Sequence, residues 1–97
     1  MRSASQVLVT RLVPAPARLL PSGVLGFATL EIGGLVVVEQ VVVKRGRSKP
    51  RVLSFPARDD RHGKRHFTVR PLNDEARREI ERVVFEAWTI REEAENV

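Results

Sequence analysis

A run of valines that directly follows two glycines is the feature of this sequence that most restricts its fold. Six of the residues from Leu35 to Lys44 are valines, and β-branched side chains fit the pleated surface of a β-sheet. Gly33-Gly34 is typical of the tight turn of a β-hairpin, because glycine accepts the positive φ angles that such turns need. The sequence therefore predicts a hairpin made of two strands, Val24 to Ile32 and Leu35 to Lys44.

Three further segments are predicted as strands because β-branched or aromatic residues alternate in them with other residues. They are Gln6 to Val13, Val52 to Phe55 and His66 to Arg70. The proline-containing stretch 14–21 and the polar stretch 57–65 are expected to be loops. Alternation predicts one apolar face on the first strand, formed by Val7, Val9 and Val13, and an inward face on the last, formed by Phe67 and Val69.

The C-terminal quarter of the chain has the pattern of one amphipathic helix. Asn73 is a favourable N-cap, and the acidic residues Asp74 and Glu75 suit the positive end of the helix dipole. One apolar stripe follows, formed by Ala76, Ile80, Val83, Val84, Ala87 and Trp88. The sequence thus predicts a single α+β domain over residues 1–97, with one C-terminal helix packed on an antiparallel sheet of about five strands. A third strand this long is expected either to curl or to pair beyond the domain, and we predict a homodimer that forms partly through strand pairing.

Positive charge is concentrated in the middle of the chain, although the whole sequence carries a net charge of only +5. Residues 44–70 contain ten Lys or Arg against Asp59 and Asp60, whereas residues 71–97 are acidic. Several basic side chains on one surface neutralise phosphates, which supplies most non-specific affinity for nucleic acid. We expect adjacent strand ends to bring two basic loops together into a nucleic-acid site, formed by Lys44, Arg45, Arg47, Lys49, Arg51, Arg58, Arg61, Lys64 and Arg65.

Two other interpretations of these basic loops remain open. They can be an ordinary solvated surface, or they can contact an acidic partner if the protein is an adaptor in cell division. An enzyme is disfavoured because the sequence contains no cysteine, no Gly-x-Ser-x-Gly motif and no phosphate-binding loop. His62 and His66 are four residues apart, but Gly63 between them disfavours a helical metal site. No cofactor and no small-molecule substrate are expected.

Composition also bears on where the protein acts. The absence of cysteine excludes disulfides and fits a reducing compartment. The longest apolar stretch is too short to cross a bilayer, and the N-terminus has no uncharged apolar core of a signal peptide. Residues 1–30 lack acidic residues, as transit peptides do, but they fit strands better. We expect a cytoplasmic protein without membrane contact.

Short motifs from residue 35 onward resemble the septation protein SpoVG family (stage V sporulation protein G). The most specific of them is the segment from Pro71 to Trp88, which begins within the motif Arg70-Pro-Leu-Asn-Asp-Glu-Ala-Arg77 and ends with Glu86-Ala-Trp88. Leu53-Ser-Phe-Pro-Ala-Arg58, with Gly63 after it, and the valines of the third strand are similar as well. The resemblance covers about residues 5–90. It implies a dimeric DNA- or RNA-binding regulator of gene expression, septation and sporulation.

Overall fold

The protein is an α+β structure, described over residues 6–95 by a computed structural model. Its strands are all antiparallel, and its one long helix is C-terminal. In chain order the elements are strand β1 (Val7–Pro14), a 3-10 helix (Ala17–Ser22), β2 (Val24–Ile32), β3 (Val36–Lys44), β4 (Val52–Ser54), β5 (Ala57–Asp59), β6 (Arg65–Phe67) and helix α1 (Asp74–Glu95).

The strands form two sheets, which corrects the prediction of a single sheet of about five strands. The main sheet has four strands in the order β1-β2-β3-β4, and β5 and β6 form a separate hairpin. Residues Ala57–Asp59, predicted as loop, are the partner of β6. The predicted inward face is also wrong, because Phe67 is 54% exposed and Val69 37%. Both faces of this hairpin are solvated. Its sequence therefore has no alternation of apolar and polar residues from which the hairpin could be predicted.

The glycine turn between β2 and β3 confirms the predicted hairpin. Gly33 and Gly34 have φ angles of 61° and 71°, and the Leu35 N–H donates to the Ile32 carbonyl over 3.1 Å. The ladder begins where Ile32 faces Val36, so Leu35 belongs to the turn and is 91% exposed. Strand β3 therefore starts one residue later than the composition predicts.

Helix α1 covers one face of the main sheet and creates the core. Its buried residues Val84 and Trp88 belong to the predicted stripe. The sheet contributes the remaining buried side chains, which are Ala28, Leu30, Val38, Val41, Val43, Leu53 and Phe55. The helix begins as predicted, because the Asn73 side-chain oxygen accepts the Ala76 N–H over 2.8 Å. No helix in residues 6–95 is long and apolar enough to cross a membrane.

Two bulges meet at Thr29 in the middle of β2 and change which side chains face the helix. On the β1 side the register shifts between Val9 and Arg11. On the β3 side two residues oppose Thr29, and one of them, Gln40, has a φ of 62°. A bulge inserts one residue and so reverses the alternation beyond it. Leu12 therefore packs against the core with Val7 and Val9, and Val13, predicted on that face, lies on the opposite one.

Candidate nucleic-acid interface

The face of the main sheet opposite α1 contains a groove. Strand alternation places side chains there that are register neighbours across all four strands. Val13 pairs with Phe27, Phe27 with Val42, and Val42 with Ser54. Phe27 is half-buried rather than buried. The open face therefore presents one aromatic ring at the middle of a short apolar row.

Basic side chains surround this row and form a groove of about 660 Å³. We call it the sheet groove; it is lined by Phe27 with Val13 and Val42, and by the cations Arg11, Lys44 and Arg65. Glu39 is the carboxylate in its wall. Lys44 and Arg65, one from each predicted basic set, are the predicted site residues that line the groove. The loops themselves leave β4 at opposite ends.

The loop between β3 and β4 carries the first set of predicted cations. It closes tightly, because the Arg45 N–H donates to the Gly23 carbonyl over 2.8 Å and a Cβ at Gly46 would collide with the Lys49 carbonyl. The side chains of Arg45, Arg47 and Lys49 are exposed and have no acidic partner in the described part of the chain. They are therefore free to contact an anionic ligand.

Arg51 is the exception among the nine predicted site residues, because it is used by the fold. Its guanidinium lies 3.4 Å from Glu92 Oε1 and 3.4 Å from the hydroxyl of Thr89. The same group lies over the Phe85 ring at 5.4 Å from the centroid. These contacts join the start of β4 to α1. Arg51 is therefore a structural residue, and it is not available to phosphates in this arrangement.

The β5–β6 hairpin carries the second set of predicted cations. Hydrogen bonds to the Asp60 side chain hold its turn, and we call them the hairpin clasp. One carboxylate oxygen of Asp60 accepts the N–H groups of His62 and Lys64, over 2.8 and 3.0 Å. The other oxygen lies 2.7 Å from His66 Nε2. The hydrogen bond with His66, followed by those with the Lys64 and His62 backbones, lowers the pKa of Asp60 below its usual value. The clasp shapes the turn that presents the remaining cations.

Three of those hairpin cations are unpaired. Arg58, Arg61 and Lys64 are exposed and have no carboxylate partner within residues 6–95. Arg65 differs, since its Nε lies 3.7 Å from Asp59 Oδ1, but both side chains stay more than half exposed. A pair this open is worth about 0–1 kcal/mol, so a phosphate can replace Asp59.

Basic residues of α1 contrast with those of the loops. Arg82 contacts Glu79 and Glu86 over 2.5 and 3.2 Å, and Arg91 lies 2.9 Å from Glu95. Arg77 packs over the ring of Phe55, 5.5 Å from its centroid. Two of the four helix arginines thus have carboxylate partners, and the eight acidic residues of α1 outnumber its arginines.

Two groove residues, Arg11 and Phe27, do not follow from the sequence pattern. Arg11 stands alone between apolar residues of a strand, and Phe27 alternates with core residues, so neither differs from an ordinary strand position. Only the register across β1 and β2 places them together. No group of three His, Asp or Glu side chains in the described ranges could hold a metal ion.

Comparisons with protein-family models, with curated proteins and with solved structures find no match to this chain. The distribution of unpaired cations and the sheet groove are therefore the features from which a function can be inferred. Both present positive charge at the surface of the described structure.

Proposed function

We propose that this protein binds DNA or RNA through the phosphate backbone, with the two basic loops as the contact surface. The observation that carries the proposal is the state of the loop cations. Apart from Arg51 and Arg65, all the predicted site residues lack an acidic partner among residues 6–95, whereas the helix arginines Arg82 and Arg91 have one. Unpaired cations retain their full attraction for a polyanion.

The geometry also supports binding that tolerates many sequences. The unpaired cations of the predicted site lie on loops and on a hairpin, whereas Arg82 and Arg91 of α1 are paired with glutamates. Contacts to phosphates fix the position of a nucleic acid but carry no sequence information directly. Recognition would therefore depend on charge and shape rather than on base edges.

A homodimer is part of the proposal, because β3 has an unpaired edge. Strand β4 pairs only with Val42–Lys44, which leaves Val36–Val41 without a strand partner on that side in the described structure. Val36 and Val37 are also more than half exposed. Exposed strand edges are templates for pairing with another chain. Two copies related by a two-fold axis normal to the sheet would pair these edges antiparallel and double the basic surface.

The biological role that we propose follows the resemblance to the SpoVG family. A dimer that binds nucleic acid with little sequence preference fits a regulator of gene expression in septation or sporulation. The resemblance is carried by short motifs, above all residues 71–88, and the proposed role stays a prediction.

Salt-dependent binding to random oligonucleotides tests the function. If about five side chains contact phosphates, the logarithm of the affinity for duplex DNA falls against the logarithm of salt with a slope of about −4 to −5. Fluorescence anisotropy at several salt concentrations measures it. A protein–protein adaptor would show little or no such binding, and that result would reject the proposal.

A further inference from the structure

We propose that the sheet groove is a binding site for single-stranded nucleic acid, in which an unpaired base stacks on Phe27. The inference rests on the proposed function and makes it more specific, since it names the form of nucleic acid that the groove selects. Three observations carry it: the position of Phe27, its partial exposure in the groove and the cations around it.

Phe27 occupies the centre of the open face. Its register neighbours Val13 and Val42 have shorter side chains, and Ser54 ends the row on β4. Because neighbouring strands lie about 4.8 Å apart, the row extends over about 14 Å. The apolar part of this row is formed by Val13, Phe27 and Val42, and with the ring at its middle it provides a stacking surface for a base. Base–aromatic stacking tolerates any sequence, since every base has a π-face.

The cations of the groove are placed to hold a backbone on either side of such a base. Arg11 lies on β1, at one side of Phe27, and Lys44 ends β3 at the other. Arg65 reaches the groove from the hairpin. Three cations against the carboxylate of Glu39 in the wall and that of Asp59, which lies 3.7 Å from Arg65, give the groove a net positive charge. This complementarity favours a phosphodiester chain over an apolar peptide as the occupant.

A duplex cannot use the ring of Phe27, because its bases are stacked on one another and paired. A single strand can turn its bases outward and stack them on aromatic side chains. The loops can contact the phosphates of either form, whereas the groove adds affinity only for unpaired bases. The protein is therefore expected to bind a single strand more tightly than a duplex of the same sequence.

The experiment compares Phe27→Leu with the wild-type chain on labelled 20-mers of one mixed sequence, as single-stranded DNA, single-stranded RNA and duplex DNA. Loss of one stacked base is expected to weaken single-strand binding about 5- to 150-fold. Duplex binding is expected to change less than about twofold. Phe67→Leu is the matched control, because it removes an exposed ring that lies outside the groove. Phe27→Trp keeps a stacking ring, retains single-strand binding and gives indole fluorescence that a stacked base quenches.

The possible outcomes separate this inference from the function beneath it. If the wild-type protein binds neither form, both proposals fail. Suppose instead that the wild-type protein binds both forms while Phe27→Leu, shown by circular dichroism to be folded, binds single strands as tightly as the wild type. In that case the groove is not the binding site, and only the inference fails. A Phe27→Trp variant whose fluorescence is unchanged by saturating single strand also overturns it. The DNA and RNA arms show which sugar the groove accepts.

Discussion

Gly26 and Trp88 are in direct contact between β2 and α1, and the indole occupies the space that a side chain at position 26 would need. A Cβ built on Gly26 would lie 2.5 Å from Cζ3 and 2.7 Å from Cη2 of Trp88. It would also lie 2.7 Å from the Val13 carbonyl oxygen of the neighbouring strand. The glycine is therefore required for close approach of the helix to the sheet.

This contact predicts that both partners are needed for stability. Trp88→Ala removes a large aromatic side chain that is only 7% exposed, which should lower the free energy of unfolding by about 3–5 kcal/mol. Gly26→Ala forces the indole or the β1 backbone to move and should cost about 1–3 kcal/mol, as overpacking does elsewhere. Urea unfolding measures both. Leu72→Ala, at a side chain that is 86% exposed, is the control and should change the free energy of unfolding by less than about 0.5 kcal/mol. An unchanged midpoint for Trp88→Ala would mean that the helix does not pack as described.

Most of the main sheet and the helix could be predicted from sequence, because their signals are local. The valines of β3, the Gly33-Gly34 turn and the Asn73 cap each act within a few residues. The bulge next to Thr10 could not be predicted, since nothing in the sequence of β1 marks it, and it exchanges the faces of Leu12 and Val13. The β5–β6 hairpin could not be predicted from alternation of apolar and polar residues, because both of its faces are exposed.

The candidate site was predictable only as a charge pattern. A cluster of Lys and Arg is visible in sequence, but whether each cation is free depends on contacts between distant residues. Arg51 contacts Thr89 and Glu92, which lie 38 and 41 positions away, so its structural role cannot be predicted from its neighbours in the sequence. Phe27 likewise becomes part of the site only through the pairing of β1, β2 and β3, which the sequence around Phe27 does not reveal.

Arg51 is predicted to matter for stability rather than for binding. Arg51→Ala removes the cation–π contact with Phe85 and an ion pair with Glu92, each worth up to about 1 kcal/mol at exposed sites. A loss of about 1 kcal/mol would lower the Tm of a chain of this size by about 4–8 °C. Arg47→Ala, in the same loop without partners, should change the free energy of unfolding by less than about 0.5 kcal/mol. Equal melting temperatures for the two variants would contradict the assignment of Arg51.

The hairpin clasp is predicted to open at acid pH. Hydrogen bonds from His66, Lys64 and His62 lower the pKa of Asp60, so its stabilising contribution is fully present above the unfolded-state value of about 3.9. That contribution is lost as the pH falls through the lower pKa of the folded state. Amide resonances of His62 and Lys64 should shift together with a midpoint below about 3.9, and Asp60→Asn should abolish the shift. A midpoint at or above that value would mean that the clasp does not form.

The unpaired edge of β3 is predicted to form the dimer. Sedimentation equilibrium at tens of micromolar should give about 22 kDa, twice the 10.9 kDa of one chain. Val37 is 58% exposed on this strand, and lysine on an edge strand discourages pairing, so Val37→Lys should shift the mass toward that of one chain. Leu72→Lys is the matched control and should leave the dimer intact, because Leu72 is 86% exposed and lies just before α1 rather than on the β3 edge. A wild-type monomer at these concentrations would reject the edge as an interface.

The basic loops are predicted to supply the phosphate contacts, which charge reversal in pairs can test. Arg47→Glu with Lys49→Glu alters the first loop, and Arg58→Glu with Arg61→Glu alters the hairpin. If each pair removes about two phosphate contacts, the salt slope for duplex DNA becomes less negative by about 1.8, and affinity at 0.1 M salt falls about 60-fold. The loss should be about equal for every sequence, because phosphate contacts carry little sequence information. The fold should survive, since these side chains are solvated and unpaired.

The control pair for these loop variants is Arg78→Glu with Arg82→Glu, which changes the net charge by the same amount on α1. Helix α1 contains eight acidic residues against four arginines, and Glu79 and Glu86 contact Arg82. The helix therefore attracts phosphates weakly, and its reversal should reduce affinity only by the long-range effect of net charge, which salt screens. Circular dichroism confirms that each variant is folded before its binding is compared. The decisive result is the ranking of loop and helix variants in one anisotropy assay at several salt concentrations. If the helix pair abolishes binding while both loop pairs keep it, the protein binds nucleic acid through α1 and the loops are an ordinary solvated surface.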